Sequence, residues 1–235
     1  MSKNSNSSDQ LTAGIKNPCF GLLSTDEKEY VNQAKTEKTL KSGHVLFGED
    51  ATLKGVYCVN KGKVKIYKLG NDGKEQIIDI AKESALLGFR TMLAENLSKV
   101  TAETLEECSI TFIPRDCFMS LLNSNIKFQG ALLKLACQEL GVLTDSITNY
   151  AQQPVRERLA GMLLVLMGTY KNENQDPNSV EINLSREDLA NIIGTATETT
   201  IRILREFKKN ELINIKGRKI SILNSQELMK IADMQ

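Results

Sequence analysis

The segment LSREDLANIIGTATETTIRILREFKKN, residues 184–210, constrains the fold of this chain more tightly than any other stretch. It reads as two short helices separated by a single glycine. Ser185 is a favoured N-cap, and Glu187 and Asp188 set negative charge against the first turn of the helix it opens. Gly194 ends that helix, and the next runs from Thr197 to Asn210. On the second helix Ile201, Leu204 and Phe207 recur at helical spacing and are expected to dock on Leu189, Ile192 and Ile193. A helical hairpin packed into a core is the plain reading. The sharper one is a helix-turn-helix whose second helix enters the major groove of DNA.

The flanks favour the sharper reading. Upstream, PVRERLAGMLLVLMGTY places Pro154 in the first turn of another helix, and KNENQDPNS at 171–179 is a polar turn. Downstream, LINIKGRKISIL gives two short strands about a Gly-Arg turn, and Ser225 opens a last helix. Three helices followed by a β-hairpin describe a winged helix-turn-helix. The net charge of +1 says nothing by itself about nucleic acid, so local clustering must carry the argument. Arg202, Arg205, Lys208, Lys209, Lys216, Arg218 and Lys219 are opposed only by Glu206 and Glu211 over residues 202–219, along the second helix and the hairpin. Cations so placed meet the phosphates that flank a groove. Glu198 and Arg202 are four residues apart and share a face near the start of the helix. There Arg202 is able to donate to guanine O6 and N7, and Glu198 to accept from cytosine N4. A surface ion pair between the two is the competing reading.

The N-terminal half has a different period. After the polar tail MSKNSNSSDQLTAG, Ser24 and Glu27 form a capping-box signature for a short helix. From Thr39 to Pro114 short alternating runs are broken by glycines. KGVYCVNKGKVKIYKL sets its lysines outward between Val64, Ile66 and Tyr67, GNDG at 70–73 marks a hairpin, and EQIIDIA and CSITFIP supply further strands. A small antiparallel roll is expected. Residues 116–150 then read as one long helix, with Phe128, Leu132, Leu135, Glu139, Leu143, Ile147 and Tyr150 at three- and four-residue steps. Glu139 interrupts the stripe. A helix this long exceeds what a small roll covers, so Phe128, Leu132, Leu135, Leu143, Ile147 and Tyr150 are expected to line a seam with a second copy of the chain.

This order of elements, with LSREDLANIIGTATETTIRILREFKKNELINIKGRKISIL as its strongest match, resembles the CRP/FNR superfamily of bacterial transcription regulators over residues 20–235. The resemblance implies an α+β chain: an N-terminal antiparallel β-roll of the cyclic-nucleotide-binding type, a long dimerisation helix and a C-terminal winged helix-turn-helix. The implied boundaries are a flexible tail over 1–19, the roll over 20–122, the dimerisation helix over 123–152 and the DNA-binding domain over 153–235. It implies a homodimer on a palindromic double-stranded site, with RNA polymerase as a further partner. Glu198 and Arg202 fall on the family's base-reading positions and Thr197 stands where the cAMP-binding branch has an arginine, which points to an FNR-like half-site. Ser185, Thr199, Arg205, Lys208, Lys209, Lys216, Arg218 and Lys219 form the expected phosphate-contacting set. The family match puts the N-cap at Ala196, a poor capper; Thr195 with Glu198 would make a capping box instead, and Glu198 cannot both cap and read.

The sensory half departs from the family's better-known branches. The positions of the glutamate and Arg-Ser pair that hold a cyclic nucleotide are occupied by Leu86, Leu97 and Ser98, so a buried phosphate would lack its partners and cAMP is disfavoured. Gly88, Phe89 and Arg90 are the candidate effector-pocket residues; Arg90 is read first as a surface arginine and second as an anion handle. Cys19, Cys58, Cys108, Cys117 and Cys137 are scattered, with no Cys-x-x-Cys pair, against the roughly four thiolates an iron–sulfur cluster needs. Such a cluster is disfavoured too, and the effector remains unassigned. His44 is the single histidine and neither a phosphate loop nor a Gly-x-Gly-x-x-Gly motif occurs, so the chain is not expected to be an enzyme or to hold a metal. The tail lacks the apolar segment of a signal peptide, and the apolar run at 159–168 is about half what a bilayer requires. A cytoplasmic protein without membrane contact is expected. The rival reading is a ligand- or protein-binding module that uses the roll and reads no DNA.

Overall fold

The structure, a computed structural model, describes residues 15–171 and 179–233. Most of the tail and of the polar turn after Tyr170 lie outside the described residues. Residues 15–19 were expected in the tail, yet Ile15, Asn17 and Cys19 are buried against the first compact unit. A short 3-10 helix, Pro18–Leu22, follows, and α1 (Thr25–Ala34) starts at Ser24, where both halves of the expected capping box are made.

Two four-stranded antiparallel sheets form the roll. One has the order β1 (Thr36–Leu40), β8 (Cys108–Pro114), β3 (Gly55–Lys61), β6 (Leu86–Leu87); the other is β2 (Val45–Phe47), β7 (Thr101–Thr104), β4 (Val64–Leu69), β5 (Glu75–Ala81). The core draws Val56, Cys58, Val59, Ile110 and Ile113 from the first sheet and Phe47, Val64, Ile66 and Ala102 from the second. The glycine pair at 70–73 closes the β4–β5 hairpin as the sequence suggests, with Gly73 at φ +77. The outward lysines are only partly so. Lys65 is 7% exposed, its ammonium 3.7 Å from Glu103 and over the Tyr67 ring. The strand is buried on both faces at that point, which strict alternation does not anticipate.

Helix α2 (Phe89–Ala94) lies between β6 and β7, and α3 (Arg115–Ser124) leaves β8. The single long helix expected over 116–150 is two. Asn125 leaves helical geometry, donates from its amide to Glu27 at 2.8 Å, and accepts the N–H groups of Lys127 and Phe128 at 3.0 Å each. One residue therefore closes α3 with its backbone and opens α4 (Ile126–Gln152) with its side chain. Early in α4, Phe128 meets Phe20 edge-on at 5.3 Å and Phe118 at 5.9 Å.

This packing corrects the expected seam. Phe128 and Leu132 are wholly buried in their own protomer's core, and Leu135 packs partly against it. The exposed large apolar residues of α4 are Ile126, Leu133, Leu140, Val142, Ile147 and Tyr150, with Leu143 half-buried; of these Ile126, Leu133, Leu140 and Ile147 recur every seven residues. The expected stripe mixed two faces of one helix, since residues seven apart along either face drift only about 20°.

The described chain divides into two compact units. Of the described residues, the first holds those up to 68 and 78–141; the second holds 69–77 and those from 142 onward, so the boundary crosses α4 rather than falling at its ends. In the second unit α5 (Val155–Tyr170) is followed by β9 (Glu181–Asn183), α6 (Arg186–Ile193), α7 (Thr197–Lys209), β10 (Ile213–Lys216), β11 (Lys219–Ile222) and α8 (Ser225–Ile231). Its antiparallel sheet has the order β10-β11-β9. Pro154 is the N-cap of α5, which therefore begins one residue later than expected, and Asn224 caps α8, whose first residue is Ser225. Phe128→Ala empties the centre of the aromatic cluster and is expected to cost about 3–5 kcal/mol, read as a lowered urea midpoint for the transition of the first unit.

Candidate nucleic-acid interface

The interface is built on α6 and α7. Ser185 caps α6 by accepting the Asp188 N–H at 2.8 Å, and Gly194 ends it at φ +65, a conformation that strains any residue with a Cβ. Thr195 and Ala196 bridge to α7. This second helix buries Thr200, Ile203, Leu204 and Phe207, and Thr200 satisfies its hydroxyl on the Ala196 carbonyl. Ile201, expected in that apolar face, is half-buried, and Ile203 takes the core position in its place. Leu189, Ile192 and Ile193 are buried on α6 as expected.

The opposite side of α7 is polar and open. Glu198, Arg202, Arg205, Lys208 and Lys209 are exposed, and Thr197 and Thr199 are half-exposed beside them. The N-cap is Ala196 with no side-chain cap, so Thr195 and Glu198 do not form a capping box. The Glu198 carboxylate is thereby left at the surface, and it makes no ion pair with Arg202 among the described residues. Both competing uses of Glu198 considered from the sequence are absent from this geometry.

The wing is the β10–β11 hairpin, turning at Gly217 with φ +60. Lys216, Arg218 and Lys219 are exposed along it. Lys219 pairs with Glu181 on β9 at 2.5 Å, and Lys208 reaches back to the Ile215 carbonyl at 3.3 Å. Arg202, Arg205, Lys209, Lys216 and Arg218 form no ion pair among the described residues. Ser185, expected to contact a phosphate, gives its O–H to the Asp188 carboxylate at 2.5 Å, so such a contact would have to displace that bond.

Sequence reasoning missed Arg186. Its guanidinium donates to the carbonyls of Gly217 at 2.8 Å and Arg218 at 3.2 Å, tying the first turn of α6 to the tip of the wing. Burial, reinforced by the Arg218 charge, lowers its pKa. The one hint was its place, since a cation at a helix N-terminus opposes the helix dipole unless it has another task.

In the first unit, Gly88, Phe89 and Arg90 line a cavity of about 210 Å³ together with Asp79, Leu135 and Glu139. Arg90 is a partner, not a free anion handle: its Nε lies 3.0 Å from the Glu139 carboxylate. That pair explains why a glutamate interrupts the apolar stripe of α4. Burial raises the carboxyls of Asp79 and Glu139, and the Arg90 charge only partly opposes it in each. An acid whose folded pKa lies above its unfolded value is held charged at a cost at neutral pH. That cost vanishes below the ordinary carboxylate range, grows between the ordinary and the raised value, and levels off above the raised one. Asp79 is exposed on β5, so water screens most of that cost; Asp79→Asn is expected to raise the thermal midpoint at pH 7 only slightly, with the gap from wild type closing below about pH 4 in a melting series.

Two family models match this chain. A cyclic nucleotide-binding domain covers residues 37–125, and a Crp-like helix-turn-helix domain covers residues 157–231. The fumarate and nitrate reduction regulatory protein of Vibrio cholerae is 27% identical over 211 residues, 89% of this chain and 84% of that protein. The transcriptional activator protein Anr of Pseudomonas protegens is 28% identical over 198 residues, 84% of this chain and 81% of its own. Among solved structures, FixK2 of Bradyrhizobium japonicum superposes with a TM-score of 0.75 at 23% identity, over 84% of this chain and 96% of that one. A transcriptional regulator of the crp/fnr family from Eubacterium rectale gives 0.73 at 20% identity, over 92% and 98%. These two likenesses speak for the fold.

Proposed function

From its membership of the CRP/FNR family, as a DNA-binding transcription regulator, we infer that the chain reads DNA as a homodimer on a near-palindromic site. The observation that carries this is the two-sided α7: one face fixed in a core, the other presenting Thr197, Glu198 and Arg202 at its start and Arg205 and Lys209 further along. In this reading Arg202 donates two hydrogen bonds to a guanine, Glu198 accepts from a cytosine, and Thr197 lies at the floor beside them. Thr199, Arg205, Lys208 and Lys209 on the helix, with Lys216, Arg218 and Lys219 on the wing, neutralise the flanking phosphates. Lys219 exchanges Glu181 for a phosphate on binding, and Arg186 keeps the wing in reach.

The dimer seam is the exposed stripe Ile126, Leu133, Leu140 and Ile147, spaced every seven residues. Gly130, Cys137 and Thr144 fall midway between them, completing a four-three repeat of the kind that pairs helices in a coiled coil. Two recognition helices so joined would fall one helical turn apart on DNA, about 34 Å. The roll is the effector-binding module, and its ligand biases a two-state equilibrium of the DNA-binding units. Leu86, Leu97 and Ser98 supply no charge for a cyclic phosphate, and Arg90 is already matched by Glu139. Cyclic AMP is therefore not the ligand in this reading. Nor do the thiols suit an iron–sulfur cluster. Cys19, Cys58, Cys108 and Cys117 are buried, burial raises the thiol pKa of each (Cys117 to about 11), and Cys137 stands apart on the exposed face of α4. RNA polymerase is the partner through which such a regulator would act. No helix of the described residues is long and apolar enough to cross a membrane.

Two measurements test this reading. On a duplex selected from a randomised pool, Arg202→Ala is expected to lose about 1–3 kcal/mol of preference at one base pair of each half-site. Lys209→Ala should instead weaken all duplexes alike and reduce the salt slope by about one. Selection results for Arg202→Ala that match wild type would remove the base-reading role. Separately, Leu133→Asp with Leu140→Asp should convert a dimeric mass in light scattering to a monomeric one and weaken binding to the full palindrome by more than about tenfold, as expected when one of two linked sites is lost.

A further inference from the structure

A helix leaves its last four carbonyls without intrahelical partners, and each must be satisfied elsewhere or exposed to water. At the end of α6 these are the carbonyls of Ala190, Asn191, Ile192 and Ile193, immediately before the turn into α7. Ala190 is served locally, accepting from the N–H groups of Gly194 and Thr195. The other three are served by side chains from outside the helix-turn-helix. Gln76 donates from its amide to Asn191 at 2.7 Å. The Tyr150 hydroxyl donates to Ile192, and Arg158 Nε donates to Ile193 at 3.1 Å. Lys74 adds a bond to the Thr195 carbonyl within the turn itself, at 2.8 Å.

These donors also hold one another. Gln76 donates to the Tyr150 hydroxyl at 3.1 Å, and the Arg158 guanidinium lies over the Tyr150 ring. The space is closed on the turn side as well: a Cβ on Gly194 would come within 3.3 Å of the Tyr150 ring and 3.5 Å of the Gln76 carbonyl oxygen. All of these residues belong to the second compact unit.

We propose that Gln76, Tyr150 and Arg158 are positioning residues for DNA reading: they fix the α6–α7 turn, and with it the pitch of α7, without touching the duplex. The proposal rests on the reading of α7 as the recognition helix. A turn held by its own backbone would keep its geometry whatever the rest of the chain does. Here only one of four terminal carbonyls is satisfied locally, so the angle between the two helices depends on donors at 76, 150 and 158. Segment 69–77 and the end of α4 thereby become control points for affinity.

The test is the double variant Tyr150→Phe with Gln76→Ala in the full chain, which keeps the aromatic packing and removes two of the three donors. Binding is followed by fluorescence anisotropy against the duplex selected by wild type and a scrambled duplex. Two neutral hydrogen bonds of ordinary strength correspond to a loss of about tenfold on the selected duplex, with the scrambled duplex bound as before and the salt slope unchanged. An unchanged slope separates positioning from a lost phosphate contact. A role confined to stability would instead lower the melting temperature and weaken both duplexes together, and that result overturns the proposal. Amide exchange supplies a readout without DNA: Gly194–Thr197 should exchange faster in the variant while Ile203–Phe207 keep wild-type protection. Wild-type exchange at Gly194–Thr197 also overturns the proposal. A wild-type chain that prefers no duplex would defeat the recognition-helix assignment, leaving the clamp on the turn to be judged by exchange alone.

Discussion

The burial of one side of α7 is the constraint on which the rest depends. Thr200, Ile203, Leu204 and Phe207 are taken from water together, each large apolar side chain contributing about 1.5–3 kcal/mol. Nothing on the opposite side of the helix contributes comparably. Arg202, Arg205 and Lys209 are carried on a frame whose stability comes from elsewhere, so their chemistry is free to serve a ligand. The same burial fixes which azimuth of the helix faces out. Gly194 at positive φ lets the chain reverse without a long loop, and the two helices of the motif are therefore joined by a turn too short to wander.

Much of this was legible in the sequence because it is local. The caps at Ser24 and Ser185, the stop at Gly194, the hairpins at 70–73 and 217–218 and the amphipathic period of α7 all depend on residues close together in the chain. What was not legible is non-local. Asn125 breaks a strong helical pattern because Glu27, almost a hundred residues earlier, holds its amide. Phe128 and Leu132 have the spacing of a dimer seam, but Phe20 and Phe118 claim the first of them for the protomer core. Periodicity shows that a helix has an apolar face and not what covers it. Two apolar faces on one helix defeat the method, and α4 has two.

Ion pairs were also invisible from the sequence, and they changed the meaning of individual residues. Glu139 looked like a flaw in a stripe and Arg90 like a lone cation; each accounts for the other. The consequence for the roll is chemical. Its cavity contains a guanidinium already neutralised by one carboxylate and near a second, Asp79, so an incoming anion meets a site with little unmatched positive charge. Ser185 shows the same effect on a small scale. A hydroxyl that suits an anion by position already donates to Asp188. Residue type and place are not enough where the hydrogen-bond capacity has been used.

The two apolar faces of α4 carry a further implication. Phe128 and Leu133 sit on the same rigid rod, five residues apart, and each residue turns the rod by about 100°. Inserting or deleting one residue between them would turn the helix beyond that point, drawing Leu132 out of the core or swinging Leu133, Leu140 and Ile147 to a new heading, away from the seam proposed for two protomers. The stretch from Phe128 to Leu133 thus acts as a protractor. Among related chains this interval should keep an apolar residue at the place of Leu132 and reject any change in length.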